Sequence, residues 1–254
     1  TIDGWLEVQV EDGNIRGITA DNLRLQAAAR KGEILIRHFD GQVGANTMAI
    51  EGIGVPAETL FEGKWSRMLN ASPGTFSLQF SNIPALLKVA GLERKDWPAR
   101  IPPHQLTLQG ELGNRQAVIS QGRLETEHGV VTIGRAAMDL PPEGAVLSKS
   151  SIQGDLSFDI AKLADLADIF GLPSLQGSLA GQISLDGTIE SPQGQATVTG
   201  QELVFRDTSL GSIKIAASAD QQTITVRNLE MQRAADRLSG SGSFRLQGKN
   251  LIDL

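Results

Sequence analysis

The chain has 254 residues, of which 40% are hydrophobic and only 4% aromatic, with no Tyr, no Cys and a formal net charge of −6. Without Cys there are no disulfides, thiol nucleophiles or zinc–thiolate sites. Without a clustered Lys/Arg stripe to displace counterions, nucleic-acid binding is not expected. No apolar run reaches the ~18 residues of a membrane-spanning helix.

From the N-terminus onward the pattern alternates apolar and polar residues. Leu6-Glu7-Val8-Gln9-Val10-Glu11 and Leu23-Arg24-Leu25-Gln26 open the series. This period of two predicts strands with one dry and one wet face. Gly52-Ile53-Gly54-Val55-Pro56-Ala57 has the loose spacing of a dinucleotide-binding loop. It is rejected: the strand before it alternates, Pro56 interrupts it, and no acid follows at a strand end. Leu78-Gln79-Phe80-Ser81 runs into a predicted amphipathic helix over 83–92, and Leu106-Thr107-Leu108-Gln109 resumes the alternation. His128-Gly129 reads as a turn. Leu156-Ser157-Phe158-Asp159 runs into a second predicted helix over 160–170, with Asp159 as N-cap, Gly171 and Pro173 as stop, and Leu163, Leu166, Ala167 and Phe170 on one face. Ile183-Ser184-Leu185-Asp186 and Thr223-Ile224-Thr225-Val226-Arg227 continue the strands. About twenty alternating segments can be counted.

The turns between them are short, as at Arg30-Lys31-Gly32 and Asp220-Gln221-Gln222. Turns of this length permit hairpins but not parallel crossovers. An internal repeat supports the same architecture. Leu23, Leu25, Ile34, Ile36, Phe39, Met48, Ile50 and Gly52 match Ile213, Ile215, Ile224, Val226, Leu229, Leu238, Gly240 and Gly242 at a constant offset of 190. A looser copy runs Leu106, Leu108, Ile119, Leu124, Val131, Ile133 and Gly134.

The expected fold is therefore mostly β: a long antiparallel meander with one apolar face, plus two short amphipathic helices. Three blocks are expected, 1–70, 71–140 and 141–254, within one continuous elongated domain. Leu25, Ile36, Ile50, Phe80, Leu108, Ile133, Phe158, Leu185, Val198, Ile215 and Val226 should share the apolar face, opposite Arg24, Arg37, Gln109, Asp159, Lys214 and Arg227. About twenty large apolar side chains left wet would cost on the order of 30–60 kcal/mol. Either the sheet closes into a filled sandwich or barrel, or it curls into an open gutter that holds acyl chains. The low aromatic content leans toward the gutter. His38, His104 and His128 show no metal-ligand spacing, and no nucleophile elbow, phosphate loop or paired carboxylates stand out. No enzyme activity, metal or cofactor is expected.

The stretch 175–246 carries a more specific signature, L-x-G-x-L-x-G-x-I-x-L-x-G-T-I-x-x-P-x-G-x-A-x-V-x-G, with Gly187-Thr188 and Pro192-Gln193-Gly194 as its most telling part. It resembles the TamB/AsmA-like superfamily of Gram-negative envelope proteins. Gly63-Lys64-Trp65 and the helix over 83–90 are more similar to the AsmA-like variant. The resemblance implies a U-shaped, taco-like sheet with an apolar interior. It also implies a periplasmic protein whose inner-membrane anchor lies outside this segment, with phospholipid acyl chains as the ligand and transport between inner and outer membranes as the function. The alternative is a periplasmic scaffold that assists outer-membrane protein assembly or secretion by strand addition.

Overall fold

The computed structural model describes residues 4–15, 18–30, 32–57, 72–81, 104–139, 147–164, 174–221 and 223–245. They form fourteen strands: β1 (Gly4–Ile15), β2 (Ile18–Arg30), β3 (Glu33–Val43), β4 (Asn46–Pro56), β5 (Gly74–Phe80), β6 (His104–Gly113), β7 (Gln116–Thr126), β8 (Gly129–Asp139), β9 (Ile152–Ile160), β10 (Leu175–Gly187), β11 (Pro192–Phe205), β12 (Thr208–Ala219), β13 (Thr223–Arg233) and β14 (Asp236–Arg245). Their hydrogen-bonded order is their chain order, from β1 to β14, in an open antiparallel sheet. The meander is thus present, with longer strands than the alternating segments suggested. The whole L-x-G run is one strand, β10, and Leu203-Val204-Phe205 completes the 14-residue β11.

The chain divides into two compact units, Thr1–Glu127 with Thr132–Ser150, and His128–Val131 with Ser151–Leu254. Gly32 takes φ +84° just before β3, and the turn expected at His128-Gly129 falls one residue earlier, at Glu127-His128, with Gly129 opening β8. The Gly-Thr-x-x-x-Pro element is also a turn. Thr188 and Ser191 exchange backbone hydrogen bonds of 3.3 and 3.0 Å, and the Thr188 hydroxyl accepts from the Ser191 N–H at 3.1 Å. Gly187 enters it at φ +107°, where a Cβ would stand 2.6 Å from the Ser191 carbonyl oxygen. Only glycine fits there.

The helix expected over 83–92 lies outside the described residues, and so does most of the one over 160–170. Asp159 is not an N-cap. It and Ile160 belong to β9, opposite Ala180 and Leu179 of β10. Ile152, Leu156, Phe158 and Ile160 keep the alternation going, so pairing with β10 carries the strand past the point where a cap could act. The helical conformation starts at Leu163 and Ala164, and Leu163 is buried.

The 190-residue repeat is structural. Leu25 pairs with Phe39 and Ala27 with Ile36, as Ile215 pairs with Leu229 and Ala217 with Val226. In both copies the second strand carries one extra residue at the same place, Arg37 in β3 and Arg227 in β13. The looser copy has the same bulge: Gln109 pairs with Gln121 and Gly110 with Ile119, leaving Ser120 over. A bulge of this kind bends the strand and raises its local twist.

Candidate functional site: the apolar face

Residues directly opposite one another on antiparallel strands share a face. Following the pairs from strand to strand therefore gives rows across the sheet. In the first unit one row is Val8, Leu25, Phe39, Ile50, Phe76, Gly110 and Ile119. Beside it runs Val10, Leu23, Gly41, Met48, Leu78, Leu108 and Gly122. Ile133 of β8 extends this second row: a Cβ on Gly122 would stand 3.1 Å from the Ile133 Cβ and 2.9 Å from Leu108 Cδ2. Leu6, Ala27, Ile36 and Ile53 make a third row, and Phe80, Leu106 and Leu124 a fourth. All six lining residues expected in this unit, Leu25, Ile36, Ile50, Phe80, Leu108 and Ile133, stand on this one face.

The second unit repeats the arrangement. Its rows are Phe158, Gly181, Val198, Ile215, Leu229 and Gly240; Leu156, Ile183, Ala196, Ala217, Val226 and Gly242; and Gly154, Leu185, Gly194, Ala219, Ile224 and Phe244. A fourth row holds Ile160, Leu179, Gly200, Ile213, Met231 and Leu238. Phe158, Leu185, Val198, Ile215 and Val226 thus share a face as well.

The opposite faces are polar. Gln9, Arg24, Asp40, Ala49, Ser77, Gln109 and Gln121 form one row in the first unit. Asp159, Ala180, Thr199, Lys214, Glu230 and Ser239 form one in the second. Glu7 accepts hydrogen bonds from Gln26 at 3.0 Å and Arg24 at 3.2 Å. These hold its carboxyl below the usual glutamate value. His38 sits between Asp40 and Glu51, with Nδ1 3.3 Å from a Glu51 oxygen. Arg37 and Arg227, expected opposite the lining, are the bulge residues and have no residue directly opposite on β2 and β12, respectively. Arg227 joins Ser184, Gln195, Ser218 and Thr225 in a polar recess. Among the described residues no cluster of three His, Asp or Glu side chains is placed to hold a metal ion.

The apolar rows are not sealed. Among the described residues only Ala27, Ile53, Val55, Ala137, Leu163 and Leu203 are buried hydrophobic residues. None of the eleven lining residues is buried; ten are half-buried and Leu185 is exposed. Among the described residues the one tight cluster is Ile53 and Val55, 3% and 0% exposed, against Ile36, Ile50 and Leu112. Sequence reasoning missed this cluster. Ile53 and Val55 fell in the rejected dinucleotide-loop pattern, although their own alternation already marked them as strand. Chemically the rows offer aliphatic surface with no hydrogen-bonding demand, on which each methylene of a bound chain would contribute about 0.8 kcal/mol.

The model of the TamB N-terminal domain matches residues 99–235, just over half of the 254-residue chain. Comparison with curated proteins and with solved structures gives no match. The matched stretch takes in the Gly187–Gly194 turn and all of β6 to β13. It starts beyond Gly63-Lys64-Trp65 and the 83–90 segment that carried the AsmA-like likeness. Both the repeated strand blocks and this match lead to one conclusion: the chain belongs to the TamB family.

Proposed function

We propose that the apolar rows shield phospholipid acyl chains, and that the protein acts without catalysis in moving phospholipid between the inner and outer membranes of a Gram-negative envelope. The single observation that carries this reading is the exposure of the rows. Eleven positions that alternate like a core remain accessible, and such a surface is stable in water when something apolar lies on it. Its residues are aliphatic for the most part, which suits a flexible chain that slides better than a rigid ligand that docks. On this reading the protein works in the periplasm, tethered by an inner-membrane anchor.

The test uses a photo-crosslinking amino acid in the full-length protein in cells. Placed at Leu25, Ile215 or Val226, it should yield phospholipid adducts by mass spectrometry. Placed at Arg24, Lys214 or Thr225 on the polar face, it should not. Equal labelling of both faces would sink the proposal.

A second reading, assistance to outer-membrane protein assembly by strand addition, is favoured by β14. All ten of its residues are exposed, including Leu238 at 60% and Phe244 at 64%. An edge of this kind is a template for another strand.

A further inference from the structure

We infer that glycines set the free height above the apolar rows. Gly41, Gly110 and Gly181 each give a phenylalanine, Phe39, Phe76 or Phe158, a seat to lie in. The rings, laid down on the sheet, leave room for an acyl chain to pass over them. These glycines are thus positioning residues of the acyl-chain site, and the inference rests on that reading of the rows.

The observation is a repeated pairing of large side chains with missing ones. Phe76 faces Gly110, Phe158 faces Gly181, and Leu23 faces Gly41. A Cβ on Gly181 would stand 2.6 Å from the Phe158 ring tip, and one on Gly110 would stand 2.8 Å from the Phe76 ring tip. Facing Cβ atoms are about 4.5–5.5 Å apart, and side chains perpendicular to the sheet keep that separation as they rise. These rings have instead leaned across the gap and down onto the glycine. Phe39 leans along its own strand: its ring lies 3.3 Å from a Cβ on Gly41, beside Leu23 Cδ2 at 3.2 Å. Leu108 does the same over Gly122, which it faces, at 2.9 Å. Phe80, in the outer row, faces Leu106 and has no such seat.

The backbone alone does not account for these glycines. At Gly110 and Gly181 a Cβ would also meet the carbonyl oxygens of Val118 and Thr197, so close approach of the next strand asks for glycine there too. At Gly41 and Gly122 the three nearest atoms all belong to side chains, and neither residue has a positive φ. A glycine inside a strand weakens it and packs nothing. What Gly41 and Gly122 supply is the space their missing side chains leave, and large neighbours occupy it.

The experiment uses the full-length protein in cells with the photo-crosslinker at Leu25, in the row of Phe39. Gly41→Val fills the seat and should lift the Phe39 ring into the row, while Val keeps the strand. Phospholipid adducts should fall about fourfold or more, the equivalent of one lost methylene contact, in a chain that still unfolds cooperatively in denaturant. Gly41→Val with Phe39→Ala returns the added bulk and should restore labelling. Gly122→Val, with Leu108→Ala as its restoring partner and the crosslinker at Leu78, repeats the test at a second seat. Unchanged labelling in whichever glycine variant folds overturns the inference, and so does a folded double variant that stays unlabelled. Loss of folded protein in both glycine variants overturns it as well, because the glycines would then serve the backbone. A parent chain without adducts would sink the lipid reading and this one together. Adducts in the parent that the glycine variants leave unchanged would sink this one alone.

Discussion

The hairpins β2–β3 and β12–β13 share a register and a bulge, yet the block with β4 seals a cluster and the block with β14 leaves its rows open. In the first block β4 supplies Ile50, Ile53 and Val55, and these pack with Ile36 and Leu112. In the second, the residues that pair where Ile50, Ile53 and Val55 do are Gly240, Gly242 and Phe244. The first two strands pair alike in both blocks, so they do not decide whether the face closes. The third strand does, through its pairing past the bulge and its side-chain volume. Alternation and the bulge set which residues face which way, and the size of those residues then sets how much of the face stays free for a ligand.

Charge is the strongest probe of this contrast. Val55→Asp places an unpaired carboxylate at a fully buried position and should cost about 3 kcal/mol or more in denaturant unfolding. Val226→Asp, on a half-buried position that water can reach, should cost about 1 kcal/mol or less and still abolish lipid adducts in the full-length protein. A collapse of the Val226→Asp chain would mean that the second block also has a filled core. Next in size are truncations. Ile53→Ala should cost about 2–4 kcal/mol through the cavity it leaves, and Ile224→Ala only about 1 kcal/mol. Equal losses in the two blocks would erase the distinction.

The bulges sharpen the comparison further. In β13 the extra Arg227 is out of step with both neighbours, since Val226 pairs with Gly242 and Leu229 with Gly240. Deleting it restores plain alternation and keeps Leu229 on the apolar face, so the deletion should cost about 1 kcal/mol or less. In β3 the extra Arg37 is matched by Gly52, because Ile36 pairs with Ile53 and Phe39 with Ile50 in one unbroken register. Deleting Arg37 leaves Gly52 unmatched beside the packed cluster and should cost about 2 kcal/mol or more. Thermal melts of the two deletions decide this, and the reverse order would refute the twin-bulge account.

The smallest effect is electrostatic. Hydrogen bonds from Gln26 and Arg24 depress the Glu7 carboxyl in the folded state. A depressed carboxyl stabilises the fold above its unfolded pKa, and that contribution is lost as pH falls through the folded value. Glu7→Gln should therefore lower the melting temperature slightly at neutral pH, with the gap to the parent closing as the solution is made acidic. A gap that widens in acid would contradict the assignment.

Much of this was legible in the sequence because a strand's side-chain period is so simple. Leu25, Ile215 and their neighbours share faces as alternation required, and the offset of 190 turned out to be a shared register. The bulges were not read, although the signal was present: Ile36 to Phe39 and Val226 to Leu229 step by three where the period demands two. Asp159 misled because Asp caps helices as a local preference, whereas a whole strand's worth of pairing with β10 holds it extended. The state of the apolar face was not legible at all. The same alternating residues serve a dry core and a wet face, and only the packing around them tells which.

The bulge placed at the same depth in three hairpins has an evolutionary consequence. A hairpin that keeps its rows and its bend when copied can be inserted whole without rewriting its neighbours. Each insertion adds two strand spacings, about 10 Å of sheet, and returns the chain to the side from which it left. Length then becomes a heritable trait that changes in fixed steps, while point mutation remains free to tune, row by row, how slippery the surface is.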